Sequence, residues 1–297
     1  MARVFGTDGT DFLDGTGEDD AIYGHGGDDF LNGGEGNDTV HGGAGSDLLN
    51  GQAGDDLLIG AEGNDFLGWI SRDGNDTLLG GEGDDSFQLF AFAPFGDVVV
   101  SGGEGVDTVA YQGGNAVVDL QAGTLTSAAG TVSLHSIENF RAEVGAVHLS
   151  GNDADNFLEG AHGQDTINGR AGNDFLWGAN NDDVYVVDTL GEADADTILF
   201  EKYDMDVGGV VEDDQLWLDS SVMTELGAAG DFSGDDDRFY AAAGATGGAD
   251  GEDRVIYDTE SGRLYYDADG SGEGEAQLIA TILSSGHPFG AGDITVI

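Results

Sequence analysis

The chain has no cysteine, and its 297 residues include seven arginines and a single lysine, Lys202. Without thiols there is neither a disulfide framework nor a thiol nucleophile. The scarcity of cations sets 8 basic residues against 59 acidic ones, a formal net charge of −51. Nucleic acid and anionic membrane surfaces both need basic patches, so neither is expected as a partner. No apolar run approaches the ~18 residues of a membrane span. Residues 1–6 contain no apolar core of a signal peptide. HExxH and G-x-S-x-G are missing, and His25, His41, His135, His148, His162 and His287 fall in separate repeats or loops. No catalytic residue is assigned, and an enzyme is not expected.

What the chain does have is a period of nine. From Gly6 it reads GTDGTDFLD, GTGEDDAIY, GHGGDDFLN, GGEGNDTVH, GGAGSDLLN, GQAGDDLLI and GAEGNDFLG, then SRDGNDTLL from Ser71 and GGEGDDSFQ from Gly80. Each unit is glycine-rich at positions one to four, acidic at position six and apolar at position eight. The pattern is the G-G-x-G-x-D-x-U-x period of a parallel β-helix. Position two begins with Thr7 and Thr16 and then reads His25, Gly34 and Gly43, so no flat threonine row develops.

The chemistry of one unit follows from its residues. Glycines permit a tight turn with carbonyl oxygens facing inward, and position six adds a carboxylate. A hard divalent cation wants six to eight such oxygens at about 2.3–2.6 Å. The x-U-x that follows is a short strand whose alternation sends position eight to one face. Leu13, Ile22, Leu31, Val40, Leu49, Leu58, Leu67, Leu78 and Phe87 are therefore the expected inner row. Two units complete one coil, so residues eighteen apart stack. Asp11, Asp29, Asp47, Asp65 and Asp85 then line one edge, and Asp20, Asp38, Asp56 and Asp76 the other. On the outer face Phe12, Phe30, Leu48 and Phe66 form a column, either a contact surface or a stack that steadies neighbouring coils.

These units resemble the RTX family of hemolysin-type calcium-binding repeats. The resemblance resumes at GGEGVDTVA from Gly102 and at GAHGQDTIN, GRAGNDFLW and GANNDDVYV from Gly160, Gly169 and Gly178. It implies an all-β fold: a parallel β-roll or β-helix solenoid with calcium in the turns, closed by a C-terminal antiparallel β-rich region. The carboxylate ligands would be the nine aspartates above together with Asp107, Asp165, Asp174 and Asp183. Carbonyl ligands would come from Gly6, Gly9, Gly24, Gly27, Gly33, Gly34, Gly36, Gly42, Gly43, Gly45, Gly51, Gly54, Gly60, Gly63, Gly80 and Gly83. In the second block they would come from Gly160, Gly163, Gly169 and Gly172.

Departures weaken particular units: Glu18 and Asn181 at position four, Ser71 and Arg72 in one turn, Ala154 and Asn156 in the unit from Gly151. In DADGSG, Asp267 and Asp269 match the start of an EF-hand loop, but its twelfth position is Leu278, leaving an extra cation site or a plain acidic turn.

The expected organisation is a first repeat block at 1–88, largely calcium-free coils at 89–150, a second block at 151–186 and a cap at 187–297. Residues 111–140 are read as larger β-helical coils, 221–227 as helix-compatible and 253–283 as an antiparallel meander. The resemblance also implies export from a Gram-negative bacterium through a type I ABC transporter that reads the terminal residues 293–297. Carboxylates that repel without calcium would keep the chain expanded inside the cell. Each ion bound outside would add about 1.4 kcal/mol at tenfold saturation. A surface or matrix role follows, with polysaccharide or a cell-surface component as partner; the alternative is an accessory module of an extracellular carbohydrate-active system, with Trp69, Trp177 or Trp217 at its groove.

Overall fold

A computed structural model describes residues 2–70, 74–91, 96–201, 213–271, 274–285 and 288–297. The chain divides into two compact units, Met1–Ala146 and Val147–Ile297. Among the described residues there is no α-helix, only strands and three short 3-10 turns.

In the first unit, odd and even repeats build two opposed parallel sheets. Arg3–Phe5, Ala21–Gly26, Thr39–Ala44, Leu57–Glu62, Thr77–Glu82 and Val98–Glu104 follow one another in one sheet. Phe12–Asp14, Phe30–Glu35, Leu48–Ala53, Phe66–Ile70, Ser86–Ala91, Thr108–Gly113 and Asn139–Val144 form the other. The register matches the nine-residue period. Val40 lies between Ile22 and Leu58, and Leu49 lies between Leu31 and Leu67. Position eight is buried at every step from Ile22 to Phe87, while Leu13, in the first coil, is half-buried.

Insertions do not break this register. The stacking interval grows from 18 to 20 and then 22 residues, yet Leu67 still meets Phe87 and Phe87 still meets Val109. The register is held because shifting a strand by one residue would turn its apolar set outward. Val98 occupies the sixth position of its coil, buried and paired with Val132.

The segment read as larger coils is instead an antiparallel excursion. Ala116–Asp119, Thr124–Ser127 and Gly130–His135 pair antiparallel in turn, and the last then lies parallel on Val98–Glu104. Gly123, at φ 69°, reverses the chain after the first of these strands, where a coil would have carried it across to the opposite sheet.

The second unit repeats the arrangement. Val147–Ser150, Thr166–Asn168, Val184–Val187 and Gln215–Leu218 form one sheet, and Ile294–Val296 adds in parallel at its end. Phe157–Glu159, Phe175–Trp177, Asp196–Glu201 and Gln277–Ser285 form the other. Onto it fold Arg263–Tyr266 and Val255–Asp258, both antiparallel, which is the expected meander. Phe289 packs against Phe200, Phe239 and Tyr257 to fill this end. Arg238 grips Asp236 through two 2.8 Å bonds, donates to the Leu226 carbonyl at 2.7 Å and lies 4.0 Å over the Phe232 ring. The helix-compatible stretch is a single 3-10 turn, Thr224–Leu226; Gly227 at φ 86° ends it.

Candidate metal-binding turns

Position six lies where each coil turns from one sheet to the other, and its carboxylate does two things. One oxygen accepts the backbone N–H of the equivalent residue one coil earlier. In one row Asp11 donates to Asp29, Asp29 to Asp47, Asp47 to Asp65, Asp65 to Asp85 and Asp85 to Asp107, each at 2.8 Å. In the other, Asp20 donates to Asp38, Asp38 to Asp56 and Asp56 to Asp76 at 2.7–2.9 Å. These are the two rows expected from the eighteen-residue spacing.

The second oxygen is different. Oδ2 of Asp29, Asp38, Asp47, Asp65, Asp76, Asp85, Asp107, Asp165 and Asp174 is buried without a hydrogen-bond partner. A buried carboxylate oxygen left this way costs free energy unless a cation meets it. The surrounding space is oxygen-lined: a Cβ on Gly33 would lie 2.5 Å from Asp38 Oδ2 and 2.8 Å from the carbonyl oxygen of Gly51 in the next coil. Position four is shaped the same way. Gly54 sits at φ 126° with the Gly36 carbonyl against its α-carbon, so no side chain fits there. Asn181 takes this conformation at φ 82°, which its short amide side chain tolerates, so that turn keeps its shape without glycine.

The electrostatics point the same way. Burial pushes the carboxyl groups of Asp56 and Asp65 up to about 7, and those of Asp76, Asp107 and Asp165 up to about 6, with neighbouring aspartates adding to several of the shifts. Asp20 moves oppositely: the Thr16 hydroxyl and the Ala2 amide hold it below its ordinary value. Among the described residues no three His, Cys, Asp or Glu side chains converge, so carbonyls must complete any shell. Oxygen-only donors of this kind suit calcium and not a soft metal.

The rows run further than the repeats. Asp107 donates to Glu138 at 2.9 Å, Asp183 to Asp214 at 3.1 Å and Asp174 to Asp196 at 3.2 Å. Glu138, Asp196 and Asp214 are missed by the nine-residue pattern, because no glycine stands at positions two and four before them; only Gly191 and Gly209 remain, at position one. The D-T-I-L and D-Q-L-W that begin at Asp196 and Asp214 retain the acidic-x-apolar-x half of the unit, the signal that could have found them. Burial, reinforced by Asp174, raises Asp196. In the second unit Val147 donates to Asp165, Asp165 to Asp183 and Asn156 to Asp174, at 2.7–2.8 Å.

Asp267 and Asp269 are engaged in their own turn: Asp267 accepts from Asp269 and Gly248, and Asp269 from Gly274. Gly248 and Asp253 lie in a degenerate repeat, GADGEDRVI, in which Asp253 Oδ2 accepts the amides of Ala249 and Asp250. The side chain of Trp69, and Ser71 and Arg72 altogether, lie outside the described residues. Trp177 and Trp217 are half-buried on separate sheets.

A β-solenoid whose turns stack carboxylates and carbonyls is a calcium-binding architecture in class. The family described as RTX calcium-binding nonapeptide repeat (4 copies) matches residues 5–40, 32–67, 71–88, 95–118 and 150–185. Those segments are RTX repeats, and calcium is the cofactor that such repeats bind. No curated protein matches the chain. No helix among the described residues is long and apolar enough to cross a membrane.

Proposed function

We propose that the chain is a secreted, non-enzymatic calcium-binding protein whose solenoid folds cooperatively as ions fill the turns. The position-six aspartates are its carboxylate ligands, and the glycines at positions one, two and four supply carbonyls. The reading is carried by the rows of buried Oδ2 atoms that lack a donor. Calcium would supply the positive charge that seven arginines and one lysine cannot. It would also couple successive coils, since each Asp already bonds the coil before it.

Export before folding accords with the place of Ile294–Val296, which is buried against Gln215–Leu218 in the folded chain and accessible only without that pairing. A type I exporter that reads residues 293–297 would have to act on the unfolded form. In this reading residues 1–88 and 151–186 are the calcium blocks, 89–150 a calcium-poor stretch that contains the antiparallel excursion, and 187–297 the cap.

Far-UV circular dichroism during a calcium titration, with a magnesium control, tests the proposal. A coil-to-β transition in calcium alone is expected; a chain equally folded in chelator would defeat it. Exposed Phe12, stacked on Phe30 at 4.7 Å, and Leu48 beside them favour a second reading as a surface for polysaccharide. Glycan binding lost on Phe12→Ala with folding intact would support it.

A further inference from the structure

The nonapeptide turn adopts two conformations, and position two decides between them. From the third repeat onward position two has positive φ in the described turns of the nonapeptide repeats, Asn152 and Ala249 of the degenerate repeat apart, including at residues with side chains: His25 79°, Gln52 66°, Ala61 94°, Ala161 66°, Arg170 69° and Ala179 71°. This swings the position-two amide away from the carboxylate. The Gln52 amide donates instead to Asn50 Oδ1 at 3.1 Å, and that of Arg170 to Asn168 Oδ1 at 2.7 Å.

Turns 6–11, 15–20 and 151–156 differ. Thr7, Thr16 and Asn152 do not have positive φ, and their amides point at position six. The Thr7 and Thr16 amides donate to Asp11 and Asp20 Oδ2 at 2.6 and 2.7 Å, and their hydroxyls donate to the same oxygens at 2.9 and 2.7 Å. Asn152 does likewise, donating its amide to Asn156 Oδ1 at 2.8 Å, while Asn156 Nδ2 donates to Asn152 Oδ1 at 2.9 Å. In all three the position-four amide closes back onto the position-two side chain, at 3.2, 3.3 and 2.9 Å. The oxygen that lacks a donor elsewhere has two in the threonine turns and one in the Asn152 turn. Branching at Cβ disfavours positive φ, which is why threonine selects this state.

We propose that these three turns are closed latches that take no calcium: the Thr7 and Thr16 hydroxyls and the Asn152 side chain occupy the place of the cation. Loading then begins at the turn of Asp29 in the first unit and at that of Asp165 in the second. Each unit thus starts with a coil whose turn chemistry is self-contained, against which the first calcium-loaded coil can assemble. The inference rests on the ligand assignment above and sharpens it, because Asp11 and Asp20 leave the ligand set.

The test counts ions on the full chain by calorimetry and native mass spectrometry in calcium, with folding checked by circular dichroism. Asp56→Asn should lose at least one ion and Asp20→Asn none. The double variant Thr16→Gly with Glu18→Gly, which restores glycine at positions two and four, should gain one. Loss of an ion from both single variants overturns the latch. Loss from neither overturns the ligand assignment and the latch with it. Should Asp20→Asn fail to fold, the double variant decides alone, and no gain there refutes Thr16 as the determinant.

Discussion

Replacing Asp56 by asparagine should change stability in opposite directions with and without calcium. Asp56 is 4% exposed, its Oδ1 accepts the Asp38 amide at 2.8 Å, and burial raises its carboxyl from 3.8 to about 7. At pH 8 that displacement corresponds to about 4 kcal/mol for ionising the group in the fold, and solvent screening at the turn reduces it to about 2 kcal/mol. Asparagine keeps the oxygen that accepts the amide and removes the charge. In chelator the variant should therefore gain about 2 kcal/mol, or retain more β-signal than the parent. At a thousandfold excess of calcium over Kd an occupied site contributes about 4 kcal/mol. Losing it outweighs the relief, and the variant should be about 2 kcal/mol less stable. Urea unfolding at pH 8 followed by circular dichroism, in chelator and in saturating calcium, reads both numbers. Equal destabilisation in the two conditions would mean that Asp56 is only a hydrogen-bond acceptor and would refute the argument.

Other consequences follow from the same geometry. Because folding raises the carboxyls of Asp56 and Asp65 to about 7, the stability they contribute without calcium is fully present below about pH 4 and lost as pH rises through 7. Chelated protein should hold more β-structure at pH 5 than at pH 8, while calcium affinity should run the other way, weakening by about tenfold per such carboxylate between pH 8 and pH 6; titrations at the two pH values check this. Leu67→Ala, at a fully buried site between Leu49 and Phe87, should cost about 3 kcal/mol in saturating calcium by chemical denaturation. Gly54→Val forces a branched side chain onto the Gly36 carbonyl at positive φ and should raise the calcium midpoint of folding several-fold. Arg238→Ala removes a two-pronged ion pair, a carbonyl bond and a ring contact, and should destabilise the second unit by about 2–3 kcal/mol in thermal melts.

The nine-residue period by itself determined the solenoid of the repeat blocks, the inner row from Ile22 to Phe87 and the two rows of aspartates. All three depend only on spacing: a two-residue strand alternation and a coil of eighteen residues put like positions above one another. The meander at Val255–Asp258 and Arg263–Tyr266 was legible for the same reason, since a turn sits between two alternating runs. Tertiary structure decided the rest. Whether residues 116–135 coil or reverse depends on what the sheet edge of Val98–Glu104 accepts, which no local spacing encodes. Glu138, Asp196 and Asp214 extend the rows because the coil beneath offers an amide at the right height, not because a repeat surrounds them. Thr16 and Gly34 hold the same position in the sequence period; only the backbone shows that one turns its amide onto the carboxylate and the other leaves that oxygen for a cation.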